Sequence, residues 1–239
     1  MNCSHIVALN WNGCGSTSAF WFLDTVGRDY AWKASQYATS PASHVARIFD
    51  EGGGLDDAWP WVKKHCEFYP AIKGFSSWPY SLFWKQWDSD PDWNAKFIFS
   101  DRSAEDWARV EFSFQCMRGV EPAIKQYHVI KNTVYGCGLD YNSTVTEWQA
   151  WVDMYKKHSS DIKEYFAGKD NYMYVDIFDG DPLEVANQIC DFIDIKNITN
   201  FSYPGKTSVG GERSDLIDDT GWDDTFRAKW NEISPYVNW

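Results

Sequence analysis

The chain has 239 residues, 44% hydrophobic and 23% charged, a balance that suits a globular protein with a sizeable core and excludes a disordered or fibrous one. Its net charge of −12 argues against a general binder of nucleic acid or anionic membrane, so an anion site would have to be built locally against the overall field. No apolar run approaches the ~20 residues that span a bilayer, no signal peptide is expected from the first residues, and the six cysteines at 3, 14, 66, 116, 137 and 190 include no C-x-x-C pair, so reduced thiols in a cytoplasmic protein without a metal cluster are expected.

In chain order, residues 5–9 form a short run of strand formers. Residues 12–18 are a small-residue loop containing Gly13 and Gly15, and residues 16–26 are helix-compatible up to Gly27. A strand, a Gly-rich turn and a helix bring backbone N–H groups and a helix N-terminus to one point, which is the pattern of an anion site, most often for phosphate. The loop has no Lys, and Gly15 is followed directly by Ser16 and Thr17, so the pattern G-x-x-x-x-G-K-[ST] is not met. A loop-rich aromatic stretch follows. Residues 41–49 read as a short helix broken at Gly52-Gly53-Gly54, and residues 55–66 as helical around Pro60. Residues 80–87 read as an apolar helix. AKFIFS at 95–100 is a buried strand by composition and length, and helices are expected over 104–118 and 121–131.

Residues 144–166 carry the clearest helical signal. Trp148, Trp151, Val152, Tyr155, Ile162, Tyr165 and Phe166 recur at helical spacing, with Gly168 just past the end. MYVDIF at 173–178 reads as a strand. Residues 181–194 read as a helix with Pro182 in its first turn and Leu183, Ala186, Ile189, Cys190 and Ile193 facing inward. This alternation predicts an α/β fold, a mostly parallel central sheet with helices on both faces, forming one domain over residues 1–239. Ligands in such sheets bind beyond the carboxyl ends of the strands. The Gly-rich loop follows one strand end, and Asp101 and Arg102 follow another. The 15 Trp are expected mainly in the core, with some rings available to wall an acceptor pocket.

Several segments taken together resemble the P-loop-like sulfotransferases, which move a sulfuryl group from 3′-phosphoadenylyl sulfate (PAPS). Gly15-Ser-Thr-Ser18 stands where one branch of that family has G-T-x-S. Trp78-Pro-Tyr-Ser-Leu-Phe-Trp-Lys85 is similar to its W-P-x-x-x-F-W-K segment, and Ala95–Arg102 resembles its strand ending in an Arg. The likeness continues in order through the long helix and the last strand and helix, over residues 5–195. It implies a P-loop NTPase-like architecture, a transferase acting on a hydroxyl or amine of a small-molecule or glycan acceptor, PAPS as sulfuryl donor with PAP (3′,5′-ADP) as product, and no metal.

The resemblance also implies roles. Gly13, Cys14, Gly15, Ser16, Thr17 and Ser18 would hold the 5′-phosphosulfate. Arg102 would hold the 3′-phosphate, helped by Lys206 or Arg213 from KTSVGGER, which resembles a basic loop that closes over the nucleotide and precedes a segment like Trp222–Phe226. The proton of the acceptor would go to His158 or Glu111, with His44 and His65 as further candidates. Ser77, where the family often has Asp, cannot serve. Two positions depart from the family: Gly13 where its loop has Lys or Arg, and Val110 where a Ser contacts the 3′-phosphate. Lys33, Lys73, Lys85 and Arg109 are candidates for the missing charge. Those departures keep open a non-catalytic nucleotide-binding or interaction module on the same fold. A small-molecule kinase with a degenerate loop is a third class.

Overall fold

The computed structural model describes residues 5–11, 14, 19, 22–23, 31–33, 41–68, 73–76, 79–108 and 145–195. They fall in two compact units, one within Met1–Asp101 and Gly168–Thr207, the other within Arg102–Ala167 and Ser208–Trp239.

In chain order the elements are β1 (His5–Ala8), β2 (Ala31–Lys33), α1 (Pro41–Asp50), α2 (Leu55–Phe68), β3 (Gly74–Ser76), a 3-10 turn (Tyr80–Leu82), α3 (Trp84–Ser89), β4 (Ala95–Phe99), α4 (Val145–Phe166), β5 (Tyr172–Tyr174) and α5 (Pro182–Phe192). Among the described residues the first unit holds one five-stranded sheet of order β2-β3-β1-β4-β5, with every pairing parallel. The α/β expectation therefore holds as an all-parallel sheet with several helices.

β1 lies in the middle. Ala8 is level with Ser76 on one side and Ile98 on the other. Paired residues of parallel strands share a face, so Ile6 and Ile98 lie on one side of the sheet and Val7, Phe75 and Phe97 on the other. On the first side Ile6 and Ile98 pack with helical Phe22 and Leu23 and with Val185, Ala186, Ile189, Cys190 and Ile193. On the second side the core is aromatic. Phe75 lies 5.1 Å from Trp87 and 5.0 Å from Tyr80, and Trp87 meets Trp93 edge-on at 4.9 Å. Both faces are buried, as a parallel sheet requires.

Several boundaries differ from the sequence expectation, each for a local reason. The apolar helix over 80–87 is two pieces: Phe83, at φ −93° and ψ 26°, separates the 3-10 turn from α3. Trp87 then donates its indole N–H to the Tyr80 carbonyl at 3.2 Å, which holds the pieces together. The strand expected over 173–178 ends at Tyr174 because the Asp176 carboxylate accepts from Phe178 N–H and Asp179 N–H, both at 3.0 Å, and turns the chain. α5 has Pro182 in its first turn as expected, and Asp181, expected to begin the helix, instead caps it by accepting from Leu183 N–H and Glu184 N–H. Leu183, however, is exposed, and the buried stripe runs through Val185, Ala186, Ile189 and Cys190. At ~100° per residue Leu183 falls about a quarter turn from the centre of that stripe. β2 lies in the stretch expected to be loop-rich, and β3 lies between residues 66 and 80, where no element was expected. With three residues each, they are too short to show a period of two.

In the second unit, residues 104–108 are helical. Ser103 caps them in a reciprocal box: its hydroxyl donates to Asp106 at 2.8 Å and accepts the Asp106 N–H at 3.1 Å. Trp107 stacks on Tyr155 of α4 at 4.7 Å and 12°, and Lys156 pairs with Glu105 at 2.8 Å. The rest of the helix expected over 104–118 and the helix expected over 121–131 lie outside the described residues.

Two outcomes follow from this packing. A methyl added at Gly180 meets the Asp176 carbonyl oxygen and presses on Val185 at 3.0 Å, so Gly180→Ala lowers unfolding free energy by about 1–3 kcal/mol in urea titrations. His5 lies against Trp93 and Phe75, donates through Nδ1 to the Trp93 carbonyl, and is pushed down to about 4 by burial, from an ordinary value of 6.5. The unfolded chain therefore binds this proton first. Stability falls as pH drops from 6.5 to about 4, by on the order of 1–2 kcal/mol after allowance for partial exposure. His5→Phe removes that share of the slope, read from urea midpoints across the range.

Candidate functional site

The first unit gathers its buried polar side chains at the carboxyl ends of the central strands. Beyond β1 the ladder continues one step, with Leu9 N–H donating to the Ile98 carbonyl at 2.9 Å. The next residue, Asn10, is thereby brought beside Ser100, the first residue after β4. Both are buried. The Asn10 carboxamide donates through Nδ2 to the Cys14 carbonyl at 2.6 Å, to the Ser100 hydroxyl, and at longer range (3.4 Å) to the Ser100 carbonyl. Cys14 N–H donates to the Trp11 carbonyl at 2.9 Å. The chain leaving β1 is thus folded back at once and tied to the end of β4. Ala19, Phe22 and Leu23 are helical, which agrees with a strand, loop and helix in succession.

On the other side of β1, Ser76 ends β3 level with Ala8, and the 3-10 turn carrying Ser81 packs against β3 and β1. Ser76 and Ser81 are fully buried, yet among the described residues their hydroxyls have no hydrogen-bond partner. Neither does Asn10 Oδ1. A buried polar atom without a partner costs about 1–3 kcal/mol, so such atoms in a native fold call for water or a ligand. The two hydroxyls can donate to an anion. Asn10 Oδ1 can only accept, and so it suits a donor rather than a phosphate oxygen.

The sequence-derived candidates are distributed as follows. Cys14 is buried and its carbonyl is held by Asn10. Gly13, Gly15, Ser16, Thr17 and Ser18 lie outside the described residues, as do Glu111, Lys206, Arg213 and Arg109. Arg102 opens the second unit, half-buried. Its backbone N–H donates to the Tyr155 hydroxyl at 3.4 Å, one residue ahead of the Ser103 cap, so its main chain is fixed at a helix start. Asp101 ends the first unit and accepts from the Tyr174 hydroxyl at 2.9 Å. Burial, reinforced by that carboxylate, holds the Tyr174 phenol above its ordinary value.

His158 is buried on the face of α4 that carries Trp151, Tyr155 and Ile162, at spacings of four, three and four residues. His44 is exposed and stacks on Trp61 at 5.3 Å. His65 is partly buried, and burial followed by the nearby His44 lowers its pKa.

Of the candidate cations, Lys73 precedes β3 and its carbonyl accepts from Ile6 N–H, which places it at the amino edge of the sheet, away from the loop. Lys85 lies over the Trp84 ring at 4.8 Å. Lys33 ends β2 at the carboxyl edge, in register with Ser76. Trp11, Trp84, Trp87, Trp93, Trp107 and Trp151 are buried as expected of core rings, whereas Trp61 is exposed.

Asn10, Ser76, Ser81 and Ser100 were not among the residues singled out from sequence. The available signal for two of them is a polar residue placed directly after an apolar strand, at Leu9-Asn10 and Phe99-Ser100. Among the described residues no helix is long and apolar enough to cross a membrane, and no three His, Cys, Asp or Glu side chains gather as a metal site. Cys14, Cys66 and Cys190 are buried, and the thiols of Cys66 and Cys190 are free. No protein-family model and no curated protein matches this sequence.

The unpartnered hydroxyl of Ser76 sets an expectation. Ser76→Ala removes a buried donor that has no partner among the described residues, and leaves stability of the ligand-free protein unchanged or higher by up to about 1 kcal/mol. Ser100→Ala removes an acceptor of the Asn10 amide and lowers stability by about 1 kcal/mol. Parallel urea unfolding of the two variants measures the contrast.

Proposed function

We propose that the protein is a PAPS-dependent sulfotransferase that transfers a sulfuryl group to a hydroxyl or amine of a small-molecule or glycan acceptor. The observation that carries this reading is the carboxyl end of β1 in an all-parallel sheet, where Asn10 ties Cys14 to the end of β4 and Ser76, with a buried hydroxyl, ends the neighbouring strand β3. Support also comes from the ordered resemblance of the loop, the Trp78–Lys85 segment and the 95–102 strand and Arg to that family.

In this reading the sequence from Gly13 through Cys14, Gly15, Ser16 and Thr17 to Ser18 receives the 5′-phosphosulfate. Arg102, with Lys206 or Arg213, receives the 3′-phosphate. The bond from sulfur to the acceptor oxygen or nitrogen forms as the bond from sulfur to the leaving phosphate oxygen breaks, and His158 or Glu111 takes the acceptor's proton. Negative charge builds on the leaving phosphate, where fixed N–H and O–H donors stabilise it without reorganising. Gly13 supplies no cation, and Lys33, at the carboxyl end of β2, is the described lysine whose backbone position favours that role.

Gly13 and Val110 also favour a second reading, a module of the same fold that binds the nucleotide without turnover. Sulfate transfer to any member of an acceptor panel rejects that second reading.

Titration calorimetry with PAP tests the main one: binding is expected, and no detectable heat with a folded protein overturns it. Lys33→Met weakens PAP binding about tenfold, the size of one charge-assisted contact. Lys73→Met, at the opposite edge of the sheet, leaves it unchanged.

A further inference from the structure

We draw no further inference here: the strongest candidate, the side-chain cluster of the buried Ser76 and Ser81 hydroxyls and Asn10 Oδ1 at the carboxyl edge of the sheet, belongs to the site already described.

Discussion

The pairing of β1 with β3 on one side and β4 on the other sets everything at the carboxyl edge of the first unit. Parallel pairing with Ala8 level with both Ser76 and Ile98 places three strand ends side by side. The added Leu9 to Ile98 bond carries the register one residue further. Asn10 therefore meets Ser100, and the chain must turn there. A slip of one residue would exchange the two faces, moving Ile6 off the aliphatic side and Val7 off the aromatic side. The two cores lock the register. Ile6 and Ile98 fit the surface made by Leu23, Val185 and Ile189, while Phe75 fits among Trp87, Trp93 and Tyr80.

The acidic excess of the chain is managed by lysines that fasten loops to this frame. Lys63 of α2 binds Asp90 and Asp92, on the connection between α3 and β4. Lys169 and Asn171 both reach Asp88, joining the entry to β5 to the end of α3. Lys96 reaches the Phe192 carbonyl and Asp194 at the C-terminus of α5. Partly exposed pairs of this type contribute little energy each. Their value here is positional, since each fixes a segment that enters or leaves a strand. The polar groups at the carboxyl edge are of another kind. They are neutral and buried, and among the described residues the Ser76 and Ser81 hydroxyls and Asn10 Oδ1 have no partner.

Arg102 shows how a side chain can be placed by its neighbours. It follows β4 by three residues, and the reciprocal bonds between Ser103 and Asp106 start a helix immediately after it. Its backbone N–H is taken by Tyr155, whose ring stacks on Trp107. An Arg at a capped helix start has its main chain fixed on both sides, here by the Tyr155 hydroxyl and by the Ser103 cap. His158 occupies a different environment, the buried face of α4.

Local sequence determined the parts whose cause is local. The apolar runs at residues 5–9 and 95–100, the helical spacing from Trp151 to Phe166, and the Asp181-Pro182 start of α5 carry their signals within a few residues, and they appear as β1, β4, α4 and α5. The alternation of these elements was enough to give the parallel sheet, because a strand followed by a helix returns to the same side. Tertiary structure alone decided what depends on residues far apart in the chain. Ser76 counts as a strand end only because Gly74–Ser76 finds β1 and β2 beside it. Asn10 matters only because Ser100, ninety residues later, lies in register with it. The end of β5 at Tyr174 was local in cause but hidden in sequence, since the turn is made by one Asp176 carboxylate within a continuous apolar pattern. Hydrophobic periodicity is written along the chain. Register between strands is fixed only when both faces of the sheet are packed, and the polar groups at the strand ends take their positions from it.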